Sequence, residues 1–141
     1  MSGNSSAKPA QENLGENLGF RAGQIVQELG YDDDVDFDLR DVIEGIIGSE
    51  LEDEDSQEVV DAVILWWRSD DDDLIDALVD SLSTLDEGGV VWLLTPKPSR
   101  PGHVPAGEIS EAAPTAGMHV TSSISASGDW SGTRLVSRKS R

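Results

Sequence analysis

Two short apolar segments separated by an amphipathic one dominate the pattern of this chain. The first runs from Ala62 to Trp67 and the second from Val90 to Leu94, and apolar residues recur at helical spacing from Leu74 to Leu85 between them. Nearly uninterrupted apolar runs are typical of strands buried on both faces, and a helix that joins two of them is typical of a parallel crossover. The segment 61–97 therefore predicts a strand–helix–strand unit of an α/β protein.

The segment before this unit predicts one more strand and one more helix. Residues 24–29 are a plausible first strand between two glycines. A helix is predicted to begin at Asp36 or Asp38, whose carboxylates suit its positive end, and to end at Gly48.

The segment after the unit predicts a short helix and a pair of strands. Residues 108–113 should form the helix, ended by Pro114. Residues 118–125 and 133–137 alternate polar and apolar positions across a short turn, which favours an antiparallel pair at one edge of the sheet. We predict a three-layer, Rossmann-like α/β fold with a mostly parallel sheet of about five or six strands.

Composition divides the chain into one domain and two tails. Residues 1–17 are mostly small and polar, so we predict a disordered tail, followed by a single domain over 18–137 and a basic tail over 138–141. The chain has no cysteine, hence no disulfide and no thiolate metal site. The sequence shows neither a signal peptide nor a run long enough to span a membrane, and we expect a cytoplasmic protein.

Charge is distributed very unevenly along the chain. Residues 1–95 hold four basic and 25 acidic residues, a net −21, whereas residues 96–141 hold six basic and three acidic ones, a net +3. Such an acidic surface repels nucleic acid backbones and anionic lipids, so neither is expected as a partner. Mimicry of DNA, or binding of a basic protein, remains an alternative use of the acidic surface.

The acidic clusters do not match a metal site. The aspartates at positions 32, 34, 36 and 38 resemble the start of a calcium loop, but Phe37 stands where the loop needs glycine and Ile43 where it needs the closing glutamate. A solvated acidic face explains them, and no metal ligand is predicted.

Cofactor and catalytic signals are also absent. The first strand is followed by one glycine, Gly30, and then by acidic residues, where a nucleotide-binding loop would be rich in glycine. His103 and His119 have no nucleophile or second ligand at diagnostic spacing. We predict no cofactor and no catalytic residue.

The best candidates for a contact site follow the two central strands. The carboxyl ends of the strands, where open α/β sheets place their crevices, should carry Trp67, Arg68, Thr95, Lys97 and Arg100. Basic side chains beside tryptophan could contact an anion or a partner protein, although charge compensation explains them equally well.

The tryptophans divide into core and candidate contact residues. Trp66, Trp67 and Trp92 are expected to pack under helices, because they lie in the central strands. Asp129 and Trp130 lie in a Gly-rich turn, so Trp130 is a candidate for an exposed aromatic contact, with burial at a strand start as the alternative.

Several motifs in this order resemble an actinobacterial family, the domain of unknown function 3052, over roughly residues 18–136. They include the segments Leu18-Gly19-Phe20, Gly30-Tyr31-Asp32-Asp33-Asp34, Asp61 to Arg68, Trp92 to Lys97, Glu111 to Gly117 and Asp129 to Arg134. The resemblance implies a compact cytoplasmic α/β domain and supplies no activity. The order of elements from Asp61 onward is also similar to the second half of Rossmann-like methyltransferases, but no cofactor-binding residue carries over.

These observations favour a small acidic interaction or regulatory protein, without enzymatic activity, that contacts a protein partner. The alternative is a degenerate methyltransferase-like domain that binds a small anionic ligand at the carboxyl rim of the strands, using Lys97 and Arg100.

Overall fold

A five-stranded mixed sheet lies at the centre of the protein. The computed structural model describes residues 18–71 and 73–137, so the predicted tails over 1–17 and 138–141 lie outside the described residues, as does Asp72. The strands are β1 (Val26–Leu29), β2 (Val60–Trp66), β3 (Leu85–Pro96), β4 (Met118–Ser125) and β5 (Trp130–Ser137).

The strands follow the spatial order β1-β2-β3-β5-β4. β1, β2 and β3 are parallel neighbours, whereas β5 runs antiparallel to both β3 and β4. The predicted α/β class and C-terminal antiparallel pair are therefore confirmed, and the five strands agree with the predicted five or six. The prediction of a mostly parallel sheet holds for the β1–β3 half, while both pairings in the other half are antiparallel.

Three helices cover the sheet, and their starts follow from side-chain caps. They are α1 (Phe37–Ile47), α2 (Leu74–Ser81) and α3 (Ala106–Thr115). The Asp36 carboxylate accepts the Leu39 N–H at 3.0 Å at the start of α1, and Gly48 ends that helix with a φ of 85°. Within the described ranges, none of the helices has the length and apolar character needed to cross a membrane.

The two faces of the sheet carry separate hydrophobic clusters. In β2, Val63 and Leu65 face α2 and α3, whereas Ile64 and Trp66 face α1. This alternation follows from the two-residue period of a strand and explains why β2 is apolar at nearly every position.

The structure corrects two predicted boundaries. The second helix ends at Ser81, and Leu85, predicted to be helical, begins β3. Leu85 pairs with Val60 and Val90 pairs with Ala62, so β3 advances five residues where β2 advances two. The extra residues form a bulge in β3, and the strand begins before the apolar run at Val90. Pro114 was predicted to end the last helix, but it lies inside the final turn of α3, which ends one residue later at Thr115.

Gly30 is the point where β1 and β2 come closest at their carboxyl ends. It has a φ of 78°, and a Cβ built on it would lie 2.2 Å from the carbonyl oxygen of Trp66. Both the backbone conformation and the space therefore require glycine.

Gly30→Ala is expected to destabilise the protein more than Gly48→Ala, measured by urea unfolding. Gly48 also has a positive φ, but a Cβ there meets nothing within 4 Å. Gly48→Ala should cost about 1 kcal/mol for the left-handed conformation, and Gly30→Ala about 1–3 kcal/mol more for the overlap. Equal losses in the two variants would contradict the close approach at Gly30.

Candidate functional site

The side chain of Arg68 joins the carboxyl ends of β1 and β2. Its Nη1 donates to the carbonyl oxygens of Gly30 at 2.8 Å and Trp66 at 3.3 Å. Its Nε donates to one carboxylate oxygen of Asp34 at 3.0 Å and its Nη2 donates to the other. Asp71 accepts the backbone N–H of Arg68 at 3.0 Å and lies 3.6 Å from Nη1. The guanidinium thus lies between the two strand ends, and each of its three nitrogens donates at least one hydrogen bond.

Arg68 and Asp34 keep each other charged. The hydrogen bond from Arg68 lowers the pKa of the Asp34 carboxyl below its ordinary value of 3.8, although partial burial opposes the shift. Burial would lower the pKa of Arg68, but the hydrogen bond and the charge of Asp34 outweigh it, and the pKa is raised. The cation of Arg68 is therefore compensated within the protein.

Trp130 packs beneath this ion pair. Its ring lies edge-to-face with that of Trp66, with centroids 4.8 Å apart. The guanidinium carbons of Arg68 and Arg100 lie 5.5 and 5.9 Å from its ring centroid, and Asp129 is 4.0 Å from Arg100 Nε. Trp130 is only 1% exposed and is the first residue of β5. The alternative of burial at a strand start is therefore correct, and the prediction of an exposed aromatic contact is wrong. Four predicted site residues thus meet here as a packed cluster.

The other three predicted site residues lie elsewhere. The Trp67 side chain is buried in the cluster under α2 and α3. Thr95 is also buried and lines a separate pocket together with Ser125. Lys97 Nζ donates to the Ser125 hydroxyl at 2.5 Å, so Lys97 is directed to that pocket and away from Arg68.

A groove of about 600 Å³ runs along β1 and the end of β2 toward α2. Four carboxylate residues line this groove, which we call the acidic groove: Asp32, Glu54, Asp71 and Asp80. Among the described residues that line it, Arg68 is the one base, and its charge is already compensated.

The buried side chain of Gln27 fixes one wall of the acidic groove. Its Nε2 donates to the carbonyl oxygens of Asp53 at 2.9 Å and Ser56 at 3.2 Å, while its Oε1 accepts the Thr84 hydroxyl at 2.5 Å. A backbone bridge between Gln27 and Glu52 holds the same segment against β1. The acidic segment over residues 52–56 is therefore tied to the sheet.

An exposed aromatic pair stands at the mouth of the groove. Tyr31 and Phe37 are 50% and 47% exposed, and their rings meet edge-to-face at 6.1 Å. The guanidinium of Arg40 lies 5.1 Å from the Tyr31 centroid and is held by Glu28 at 2.6 and 2.9 Å. Glu28 also accepts the Trp66 indole N–H at 2.9 Å. The hydrogen bond with Glu28 raises the pKa of Arg40.

The aspartates between β1 and α1 have structural partners. Asp34 binds Arg68, Asp36 caps α1, and Asp32 accepts the Asp33 N–H at 2.8 Å. No group of three or more His, Asp or Glu side chains is arranged to hold a metal ion within residues 18–71 and 73–137.

Sequence reasoning missed several residues of this region. Asp34 was interpreted as part of a solvated face, and Tyr31 and Phe37 were not considered as contact residues. The single glycine at position 30 was the available signal, because a strand that ends in glycine before a helix marks a point of close approach.

The fold is similar to that of Rossmann-like methyltransferases of known structure. The methyltransferase CcbJ from Streptomyces caelestis superposes with a TM-score of 0.59 at 12% identity, over 90% of this chain and 94% of that one. A methyltransferase from Thiobacillus denitrificans, solved with S-adenosyl-L-homocysteine, gives 0.58 at 13% identity over 92% of both chains. Identities this low show a shared fold and not a shared activity.

The chain belongs to the DUF3052 family, described as a protein of unknown function, whose profile matches residues 15–139. It is 52% identical over 129 residues to the uncharacterized proteins Rv2239c of Mycobacterium tuberculosis (strain H37Rv) and Mb2263c of Mycobacterium bovis. The alignment covers 92% of this chain and 81% of each relative. The resemblance inferred from the sequence motifs is confirmed.

Asp34→Asn is expected to lower the free energy of unfolding at neutral pH by about 1 kcal/mol, a value discounted because the carboxylate is partly exposed. The folded-state pKa of Asp34 lies below 3.8, so its contribution is present above that pH and is lost as pH falls through the folded-state pKa. Urea unfolding should therefore show a difference from wild type that shrinks below about pH 4.

Asp33→Asn is the matched control, because Asp33 is exposed and forms no ion pair with any described residue. It should change stability little at either pH. A deficit of Asp34→Asn that stays constant as the pH is lowered would contradict the assigned role of its charge.

Proposed function

We propose that this protein is a cytoplasmic interaction protein, without enzymatic activity, that binds a basic segment of a partner protein in the acidic groove. The observation that carries the proposal is the charge of the groove. It presents Asp32, Glu54, Asp71 and Asp80, while its one described base is compensated by Asp34 and Asp71. A groove with this lining attracts cationic side chains.

The charge of the whole chain supports the same kind of partner. Every residue that lines the groove lies within residues 1–95, and this segment has a net charge of −21. A field of one sign over a surface steers oppositely charged partners toward it and repels nucleic acid and anionic lipid.

The aromatic pair supplies an apolar contact beside the carboxylates. Tyr31 lines the groove, and Phe37 packs against it. Tyrosine and arginine are enriched at the energetic centres of interfaces. Because Arg40 is held by Glu28 and contacts both rings, these side chains lose little freedom when a partner binds.

The residues at the strand ends do not fit the cofactor of the methyltransferase neighbours. The strand order reverses at β1, which has the Gln27–Glu52 bridge on one side and β2 on the other, so such a ligand would lie at the carboxyl end of β1. Gly30 is followed by Tyr31 and aspartates, not by further glycines, and the Arg68 side chain lies between the strand ends.

The alternative, a degenerate methyltransferase-like domain that binds a small anionic ligand at the strand rim, is not supported at the groove. Its carboxylates repel anions, and Arg100 packs on Trp130 beside Asp129. Thr95 and Lys97, however, lie at a different pocket, between β3, β4, β5 and the start of α3.

A fluorescently labelled peptide of alternating arginine and leucine tests the groove, with binding followed by fluorescence anisotropy. Glu54→Lys should weaken binding by about tenfold or more, because it replaces a lining carboxylate with a cation. Tyr31→Ala should weaken it as well, through loss of the aromatic contact.

Glu111→Lys is the matched control, because it makes the same change in net charge on the exposed face of α3. It should retain most of the affinity. If Glu54→Lys and Glu111→Lys weaken peptide binding equally, the peptide recognises net charge alone and the groove is not the binding site.

A further inference from the structure

A second pocket, of about 360 Å³, lies where β3, β4 and β5 meet the start of α3. Five hydroxyl side chains line this pocket, which we call the hydroxyl pocket: Thr95, Ser123, Ser125, Ser131 and Thr133. Its apolar lining includes Val104 and Ile109, which pack in the core cluster on the α2 and α3 face of the sheet. Concave sites with a mostly apolar lining and a few polar groups are typical of small-ligand sites.

Two threonines in this pocket have side chains that are mostly buried but hydroxyl groups that are open to the pocket. Thr95 is 2% exposed and Thr133 is 7% exposed, and neither hydroxyl bonds to any residue of 18–71 or 73–137. Ser81, by contrast, is satisfied within the protein, because its hydroxyl donates to the Leu78 carbonyl at 2.6 Å. Ser127 Oγ also lacks a partner, but it is sealed from solvent and lies outside the pocket lining.

The N-terminal end of α3 adds backbone donors to the same pocket. Ala106, the first residue of the helix, lines it, and the N-cap residue Pro105 provides no side-chain cap. The first N–H groups of a helix have no partner within the helix and lie at its positive end. Gly107 adds no side chain that could cover them.

Lys97 brings a positive charge to the rim of the pocket. Its Nζ donates to the Ser125 hydroxyl at 2.5 Å, and no acidic side chain of the described residues forms an ion pair with it. The unpartnered hydroxyls, the helix end and this cation all favour an anion, in contrast to the acidic groove.

We propose that the hydroxyl pocket binds a small carboxylate with a short apolar body. The carboxylate accepts from Thr95, Thr133 and the first N–H groups of α3, and the body packs against the apolar lining. A single negative charge suits a protein of net charge −18 better than a multiply charged phosphate does. This inference is independent of the function proposed for the acidic groove.

Titration with butyrate, compared with the isosteric neutral amide butyramide, tests the charge requirement by calorimetry or by NMR chemical shifts. Butyrate is expected to bind with a Kd on the order of 1 mM, and butyramide about tenfold or more weakly. Equal binding of the two compounds, no saturable binding of butyrate, or equal binding of inorganic phosphate would each overturn the proposal.

Thr95→Val and Thr133→Val test the two hydroxyls separately, so either variant suffices if the other fails to fold. Each should weaken butyrate binding about tenfold without lowering the melting temperature of the free protein, because valine removes an unpartnered hydroxyl. Thr121→Val is the control, since this exposed β4 residue bonds to Arg134 outside the pocket lining and should leave butyrate binding unchanged. Unchanged binding in both pocket variants would overturn the assignment.

Discussion

The contact between the guanidinium of Arg68 and the ends of β1 and β2 is the constraint on which the rest of this rim depends. A buried cation must be surrounded by acceptors, and here these are the carbonyl oxygens of Gly30 and Trp66 and the carboxylate of Asp34. Glycine at position 30 allows the two strand ends to approach, and the indole of Trp130 fills the space beneath the cation. The residue type at each of these positions therefore follows from its contact with Arg68 or with the two strand ends.

This arrangement separates two kinds of surface along one edge of the sheet. At the β1 end, the base is compensated and carboxylates remain, so the rim is a surface for cations. At the β4 end, buried hydroxyls, a helix N-terminus and Lys97 face a pocket, and the rim suits an anion. Over residues 96–137, three basic residues balance three acidic ones, whereas the segment that lines the acidic groove carries a large negative charge.

The pattern of apolar and capping residues was sufficient to predict β2 and α1. β2 is apolar at almost every position because both of its faces are covered, and α1 has a capping aspartate at one end and a glycine at the other. The start of β3 could not be predicted, because Leu82 and Leu85 fit the spacing of the preceding helix equally well. Only the bulge opposite β2 shows that Leu85 belongs to the strand.

The candidate sites were less accessible from the sequence. Arg68 was identified at the rim, but its pairing with Asp34, 34 positions earlier, depends on the parallel packing of β1 beside β2. The environment of Trp130 was undecided, because a Gly-rich turn is compatible with either exposure or a strand start. Thr95 was among the candidates, whereas Thr133 was not, since the two meet only when β5 pairs with β3.

We infer that the strand ends hold the protein's own ion pair and do not bind S-adenosylmethionine. Calorimetric titration of the protein with S-adenosylmethionine and with S-adenosylhomocysteine tests this inference. No saturable binding of either compound is expected up to a Kd of about 1 mM. Saturable binding of one molecule per chain, with a matching rise in melting temperature, would contradict it.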